Sequence, residues 1–268
     1  DSLAPCLEQT EVRRPVDIAV LRLPRISNFT DFTPLERHPA LGVRYVSKVG
    51  ELGQPDLVVL PGTKNTMDDL LWLRQNGLET AVKHLAANGT PILGICGGYQ
   101  MMGRTVSDPD NTEGGGSLRG MNLLPIDTVF RPSKTTTQTR GALLEIDGVL
   151  SDLSGLAVEG YEIHMGETVR DASAKPLVRL LRREGEIEDG CQTGNAFGTY
   201  LHGLFDTGEL TEKLAAWLLA CKGLSAADVR AESHAAYKER QYDLLADAVR
   251  AAVDIAAVYR AMDACAAK

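Results

Sequence analysis

The sequence predicts an α/β fold with a mostly parallel central sheet flanked by helices and with further helices at the C-terminus. In the first third of the chain, short apolar runs alternate with helical stretches across short loops, which is typical of a parallel sheet covered by helices. The apolar run "PILGIC" also passes directly into the helix-like "GGYQMMG". Because sites in such sheets form beyond the carboxyl ends of the strands, we expect a site there.

Four apolar runs predict strands in chain order: "VDIAVLRL" from Val16, "VRYVSKV" from Val43, "PDLVVLPG" up to Gly62, and "TPILGIC" up to Cys96. Two helices are predicted between the last two runs. "NTMDDLLWLRQNG" begins with an asparagine suited to an N-cap, and both this stretch and "LETAVKHLAANG" end at a glycine. This succession of strands and helices is the one that a parallel sheet requires.

The middle of the chain has a different pattern. "GALLEIDGVL", "VEGYEIHMGETVR", "LVRLLRR" and "AFGTYLHGLF" are short and partly alternating, and they predict strands and hairpins. From Glu209 onward the sequence is helical and rich in alanine. We therefore expect an N-terminal arm or linker at 1–15, a main domain at 16–210 and a C-terminal helical extension at 211–268.

Composition argues against several classes of function. Of the 268 residues, 44% are hydrophobic and 24% are charged, which is ordinary for a soluble globular protein. The net charge of -8 argues against non-specific binding to nucleic acid or to an anionic membrane. No transmembrane span or signal peptide is predicted. The few, scattered cysteines indicate a reducing compartment, so we expect a cytoplasmic protein. The five cysteines have no CxxC spacing, so neither a metal site nor a disulfide framework is expected.

The stretch "GICGG" has the G-x-C-x-G form of a nucleophile elbow, with Cys96 at a strand-to-helix turn. Such a turn forces the cysteine toward unfavourable φ/ψ values, and its neighbours must lack side chains that would clash. The helix start favours a thiolate, and the N–H of Gly97 is free to stabilise an oxyanion. The alternative is a buried cysteine that packs as a small hydrophobe.

A nucleophilic cysteine needs a base, and the chain has five histidines. His38 lies in a polar loop, where we expect it to be solvated, whereas His84 and His234 lie in helical sequence. His164, in "GYEIHMGE", and His202, in "GTYLHGLFD", each end a strand-like run near a glycine. Either of these two could therefore face the cleft.

Several long motifs, in the same order, resemble the C-terminal glutaminase domain of the cobyric acid synthase family, a class I glutamine amidotransferase with a flavodoxin-like fold. These motifs are "RLPRISNFTDFTPLE", "PDLVVLPGTKNTMDDLLWLR", "GICGGYQMMG", "GYEIHMGET" and "GTYLHGLFD". The resemblance implies hydrolysis of glutamine to glutamate and ammonia through a cysteine thioester. It also implies that this ammonia serves the ATP-dependent amidation of corrinoid carboxylates in cobalamin biosynthesis.

The resemblance assigns roles residue by residue. Cys96 matches the nucleophile and His202 the general base. Gly97 matches the residue that supplies the first N–H of the oxyanion hole, and Gly62, in "LPGT", matches the loop that supplies the second. His164 matches no catalytic residue, so we expect it to be structural or to line the cleft.

Leu204 departs from many class I glutaminases, which carry a glutamate two residues after the histidine. The cobyric acid synthase branch resembles this sequence in that respect, which implies a Cys-His dyad. If a carboxylate orients His202 in space, Glu162 and Asp206 are candidates between which the sequence does not decide.

The resemblance also implies a partner, an ATP-dependent synthetase domain that is either fused upstream or a separate chain. This sequence has no G-x-x-x-x-G-K-[ST] phosphate loop, and its glycine-rich "EGGGSLRG" lacks the lysine. We therefore expect no cofactor in this chain, with ATP, Mg and the corrinoid bound only by the synthetase domain, and glutamine as the substrate here.

Two other functions remain open. A cysteine hydrolase of the same fold would act on peptides or aldehydes and not on glutamine. A catalytically silent amidotransferase-like domain would bind or regulate a synthetase; the missing carboxylate leaves room for it, whereas Cys96 and His202 argue against it.

Overall fold

The structure is a computed structural model that describes residues 14–182, 185–225 and 234–266. The chain divides into two compact units, Asp1–Ala231 and Glu232–Lys268. Cys96 and His202 both lie in the first unit, which contains two sheets.

Strands make up most of the first unit. In chain order they are β1 (Val16–Leu21), β2 (Leu41–Val46), β3 (Leu57–Leu60), β4 (Ile92–Ile95), β5 (Thr105–Asp108), β6 (Gly116–Arg119), β7 (Ile126–Leu143), β8 (Ala157–Arg170), β9 (Val178–Arg182), β10 (Gly185–Asp189), β11 (Cys191–Thr193) and β12 (Ala196–Thr199). The central sheet has the order β11-β12-β4-β3-β1-β2 and is parallel except for β11, which runs antiparallel to β12. Its inner strands are buried almost throughout, because helices cover a parallel sheet on both faces.

Helices connect the strands and form the C-terminal part of the chain. They are α1 (Thr33–Arg37), α2 (Val49–Leu52), α3 (Thr66–Gln75), α4 (Leu78–Ala87), α5 (Gly97–Met101), α6 (Glu209–Cys221), α7 (His234–Ala252) and α8 (Ile255–Ala266). Helix α3 begins at the predicted N-cap, because the side chain of Asn65 accepts a hydrogen bond from the N–H of Asp68 at 2.8 Å. Helix α5 begins directly after β4, so the strand-to-helix corner is at Cys96.

The second sheet has the order β10-β9-β7-β5-β6, and β8 pairs with β7. Strands β7 and β8 form a long antiparallel pair that is irregular between Phe130 and Thr135. On β8, Tyr161 also forms an isolated antiparallel bridge with His202, just beyond the end of β12. Strand β8 therefore links the second sheet to the carboxyl edge of the central sheet.

The predicted fold class is confirmed, since a mostly parallel sheet lies among helices and further helices follow. The structure adds one feature to the prediction, because the "AFGT" of β12 inserts into the central sheet beside β4. Most of the arm predicted at 1–15 lies outside the described residues, and the boundary predicted after 210 falls in the first turn of α6. Within the described parts of the chain, no helix is long and apolar enough to cross a membrane.

Candidate active site

The elbow cysteine has a backbone conformation that L-residues rarely adopt. Cys96 has φ 51° and ψ −109°, between the last residue of β4 and the first of α5. Its glycine neighbours are required sterically, because a Cβ on Gly98 would overlap the carbonyl oxygen of Leu60 in β3. Strain at a cysteine held by close packing is typical of a functional turn.

Three adjacent parallel strands bring the sequence-predicted residues to one edge. In register, Leu60 of β3 pairs with Gly94 of β4, and Ile95 of β4 pairs with Thr199 of β12. The residues that follow these strands include Gly62, Cys96 and His202 respectively.

Contacts across this edge are short. A Cβ on Gly62 would lie 3.0 Å from Cε1 of His202, and a Cβ on Gly97 would lie 2.6 Å from Cγ2 of Thr63. Cys96 is only 8% exposed, and its Sγ lies 3.6 Å from the carbonyl oxygen of Ile163 on β8. The loop after β3, the elbow and the histidine therefore form one site.

The carboxylate that orients His202 is Asp31, a residue that the sequence analysis missed. His202 is fully buried, and its Nδ1 donates a hydrogen bond to Oδ2 of Asp31 at 2.7 Å. The other carboxylate oxygen of Asp31 accepts from the N–H of Gly203 at 3.1 Å. Asn28, also missed, places its Nδ2 3.1 Å from Nε2 of His202. The two missed residues belong to the stretch "SNFTDF", in which an Asp between two phenylalanines was the available signal.

The environment of His202 favours the charged imidazolium. Burial works against the charge, but hydrogen bonds and charge interactions with Asp31 and Cys96 outweigh it and raise the pKa of His202 to about 10. The imidazolium can therefore balance a thiolate at Cys96. Because Nδ1 donates to Asp31, Nε2 is the ring nitrogen available for proton transfer.

Tyr161 covers the histidine from the side of β8. Its ring stacks on the ring of His202 with centroids 5.2 Å apart and an interplanar angle of 20°. The two residues also exchange backbone hydrogen bonds of 2.8 and 3.1 Å. Ring and backbone contacts together fix the position of His202.

The two carboxylates considered from the sequence have other surroundings. Glu162 is fully buried and pairs with Arg182, whose Nε and guanidinium nitrogen Nη2 donate to it at 2.9 and 2.7 Å. Asp206 follows His202 closely in the chain, and its N–H donates to the carbonyl of Gly203 at 2.8 Å. Leu204 is buried among apolar side chains.

His164 and His38 have hydrogen-bond partners other than Asp31 and Asn28. His164 stacks on Tyr200, with centroids 3.7 Å apart, and its Nδ1 donates to the carbonyl oxygen of Gly166 at 2.9 Å. The expectation that His38 is solvated was wrong, since it is 1% exposed and its Nδ1 accepts from the N–H of Ala40. Its Nε2 lies 3.6 Å from a carboxylate oxygen of Glu212 on α6.

A chain of buried hydrogen bonds supports the elbow helix from behind. Thr66 Oγ1 donates to Oε1 of Gln100 at 2.8 Å, and Nε2 of Gln100 donates to the hydroxyl of Tyr200 at 3.1 Å. The first residue of α3 is thereby tied to α5 and to the strand end that carries His202. As for metals, the described residues contain no cluster of three or more His, Cys, Asp or Glu side chains that could hold an ion.

The fold and the site define a glutamine amidotransferase domain, and comparison with known families agrees. The family model for the CobB/CobQ-like glutamine amidotransferase domain matches residues 17–210, and the chain belongs to this family. Two solved structures share the fold. PurLQS from Thermotoga maritima has a TM-score of 0.55 and 18% identity over 77% of this chain and 96% of that chain. A crystal structure of a glutamine amidotransferase has a TM-score of 0.51 and 15% identity over 77% of this chain and 99% of that chain.

Among curated proteins, the chain is similar to cobyric acid synthases. It is 47% identical over 252 residues to the enzyme of Ruminiclostridium cellulolyticum, and the matched region covers 92% of this chain and 49% of that protein. It is 45% identical over 260 residues to the enzyme of Lachnoclostridium phytofermentans, and the matched region covers 93% of this chain and 51% of that protein. The chain thus spans about half the length of the curated relatives that it matches.

Proposed function

We propose that this chain is a glutaminase that hydrolyses glutamine to glutamate and ammonia through a thioester at Cys96. The observation that carries the proposal is the buried series Asp31, His202 and Cys96 at the carboxyl ends of adjacent strands. A strained cysteine next to a histidine that a carboxylate orients is the arrangement of nucleophilic catalysis.

In the first half of the reaction, the Cys96 thiolate attacks Cδ of glutamine and the carbonyl oxygen becomes an oxyanion. The N–H groups of Gly97 and of the Gly62 loop stabilise this oxyanion. His202 then donates its Nε2 proton to the departing nitrogen, so that ammonia leaves and a γ-glutamyl thioester remains.

The pKa of His202 falls during the reaction, at the step in which the imidazolium must give up its proton. The hydrogen bond and charge of Cys96 are among the interactions that raise the pKa of His202. Once the sulfur is acylated, that negative charge is gone, so the imidazolium becomes a stronger acid at the step that needs its proton. Neutral His202 then takes a proton from water, which attacks the thioester and releases glutamate.

The ammonia is consumed in an ATP-dependent amidation of corrinoid carboxylates by a synthetase half, fused or separate. Support comes from the name of the relatives, cobyric acid synthase, and from their length, about twice that of this chain. ATP and Mg bind in that synthetase half and no cofactor binds here. Handing over ammonia without release to water keeps it unprotonated and nucleophilic.

The proposal is tested by measuring ammonia and glutamate released from L-glutamine by the purified chain. We expect Cys96→Ala and Cys96→Ser to abolish release, because both remove the sulfur on which the thioester forms. The matched control is Cys221→Ser, which alters an exposed free cysteine on α6 and should retain the wild-type rate. A Cys96→Ala chain that releases ammonia at the wild-type rate would contradict the proposal.

A further inference from the structure

One edge of strand β8 contacts both Cys96 and His202, which together form the catalytic pair. The backbone of Tyr161 exchanges hydrogen bonds of 2.8 and 3.1 Å with the backbone of His202. Two residues further along, the carbonyl oxygen of Ile163 lies 3.6 Å from Sγ of Cys96. Backbone groups of alternate residues in a strand point toward the same edge, so both contacts depend on where β8 lies along its own axis.

Pairing with β7 holds this part of β8 from one side only. The antiparallel pairing is regular as far as Thr135, which lies opposite His164. It is then interrupted and resumes at Phe130, which lies opposite Gly166. Because such an irregularity disrupts the hydrogen-bond ladder locally, residues 161–164 lie at the end of a paired region. A further contact is needed to fix their position.

Glu162 makes that contact. It lies between Tyr161 and Ile163, and because side chains alternate along a strand, its own side chain points to the opposite face. There the fully buried carboxylate accepts hydrogen bonds from Nε of Arg182 at 2.9 Å and from Nη2 at 2.7 Å. Arg182 is the last residue of β9.

The ion pair joins two strands that lie on either side of β7. Arg140 of β7 pairs with Glu159 of β8 and with Leu181 of β9, so these two strands flank β7. The side chain of Arg182 therefore reaches across β7 to Glu162. It ties the strand that contacts the catalytic pair to the second sheet at a point beyond their shared neighbour.

The charge of Glu162 depends on its partner. Burial works to raise the pKa of Glu162, but the interactions with His164 and Arg182 outweigh it and lower that pKa below its usual value. His164 is the more distant of the two, with Nε2 3.8 Å from Oε1 of Glu162. On β10, burial and the charge of Glu162 raise the pKa of Asp189. Since removing one partner of a buried ion pair leaves an uncompensated charge, Glu162 and Arg182 act as a unit.

We propose that the buried ion pair of Glu162 and Arg182 positions the catalytic pair by holding the edge of β8 against it. This inference rests on the proposed glutaminase function and adds two positioning residues to it, which act through the backbone of β8. The carbonyl of Ile163 accepts from the Cys96 thiol. Once the thiolate forms, the same oxygen repels it and so directs the sulfur toward the imidazolium of His202.

The test measures kcat/KM for glutamine against pH, and alkylation of Cys96 by iodoacetamide as a readout that needs no turnover. Glu162→Gln keeps the shape of the side chain without its charge, whereas Arg182→Lys keeps a charge without the planar pair of donors. We expect Glu162→Gln to lower kcat about tenfold to hundredfold, and Arg182→Lys to retain more activity than Arg182→Gln. Alkylation of Cys96 should slow in the same order, because the thiolate loses its nearby imidazolium.

The pH profile separates positioning from a purely structural role. Cys96 is among the groups that raise the pKa of His202, so a misplaced sulfur lowers that pKa. The high-pH limb of kcat/KM in Glu162→Gln should therefore move to lower pH. The double variant of Glu162→Gln with Arg182→Gln should lose no more activity than the worse single variant, because the two residues act as a unit.

The matched controls remove or alter the same kind of charge on the same two strands. Glu159→Gln changes an exposed glutamate of β8. Arg179→Lys changes an exposed arginine of β9 whose Nε lies 3.9 Å from a carboxylate oxygen of Glu186. Both controls should keep kcat within about twofold of the wild type.

Urea titration of each variant distinguishes the other outcomes. A folded Glu162→Gln with a lower urea midpoint but the wild-type kcat and pH profile overturns the proposal, because the pair is then only structural. If Glu162→Gln does not fold, wild-type kcat in folded Arg182→Lys and Arg182→Gln overturns it equally. If the wild type neither hydrolyses glutamine nor is alkylated faster at Cys96 than at the exposed Cys221, the glutaminase function itself fails, which is a separate result.

Discussion

Replacing Asp31 by Asn tests the residue that the structure adds to the catalytic series. The amide has the shape of the carboxylate, and its oxygen can still accept from the N–H of Gly203. With that oxygen on Gly203, the amide nitrogen replaces Oδ2 opposite Nδ1 of His202, so the variant loses both the negative charge and the acceptor of the Nδ1 proton at 2.7 Å. It therefore removes the support of the ring by the carboxylate while keeping a side chain of the same size and the contact with Gly203.

The magnitude follows from the strength of that interaction. A buried hydrogen bond between charged groups contributes about 1.5–3 kcal/mol, against about 1 kcal/mol for a neutral one. Since one unit of pKa corresponds to about 1.4 kcal/mol, we expect the pKa of His202 to fall from about 10 by roughly one unit or more. The same energy lost from the charged imidazolium lowers kcat/KM by about tenfold to hundredfold.

The assay is kcat/KM for glutamine hydrolysis as a function of pH, with iodoacetamide alkylation of Cys96 as a readout that needs no turnover. In Asp31→Asn the high-pH limb of the kcat/KM profile should move to lower pH, because the imidazolium that donates the proton is lost at a lower pH. Asp206→Asn is the matched control, because it removes one carboxylate charge near Tyr161, whereas Asp31 is the carboxylate that accepts from Nδ1 of His202. The reasoning is refuted if Asp31→Asn keeps the wild-type rate and profile while Asp206→Asn loses them.

Two further predictions concern stability. Gly98→Ala should lower the free energy of unfolding by about 3 kcal/mol or more in urea titrations, because its Cβ would overlap Leu60. Gly50→Ala is the control and should not lower the free energy of unfolding, because no atom lies within 4 Å of the added Cβ. Equal free energies for the two variants would contradict the packing argument. The pKa of His202 is raised from 6.5 to about 10, so its stabilisation is complete below pH 6.5 and is lost as the pH rises through about 10. The urea midpoint should therefore fall over this range, and more for the wild type than for Asp31→Asn; a flat wild-type midpoint would count against the charged histidine.

The parts of the fold that the sequence predicted are those specified locally. Apolar runs marked β1, β3 and β4, and Asn65 marked the start of α3. The place of β12 beside β4 depends on pairing across more than a hundred intervening residues, which no local pattern records. The same holds for β8, whose Tyr161 reaches the strand end at His202.

The residues of the site also divide into those that a local motif marks and those that only tertiary packing brings together. Cys96 is recognisable because the elbow requires glycines in adjacent positions, and His202 followed from a motif. Asp31 lies 171 residues from His202 in the chain, in a short 3-10 turn, so its partner is set by tertiary packing alone. The signal that the sequence did offer is an aspartate between Phe29 and Phe32 in "SNFTDF", because a carboxylate among apolar residues needs a partner if it is buried.

The measurement that tests the central claim most directly is the mass of the protein after rapid acid quenching of a reaction with L-glutamine. The account predicts a γ-glutamyl adduct on the peptide that contains Cys96 in the wild type. It also predicts no adduct in Cys96→Ala, with the adduct accumulating when His202→Asn slows its hydrolysis more than its formation. An adduct on Cys191 or Cys221, or hydrolysis of glutamine by Cys96→Ala without any adduct, would contradict the account.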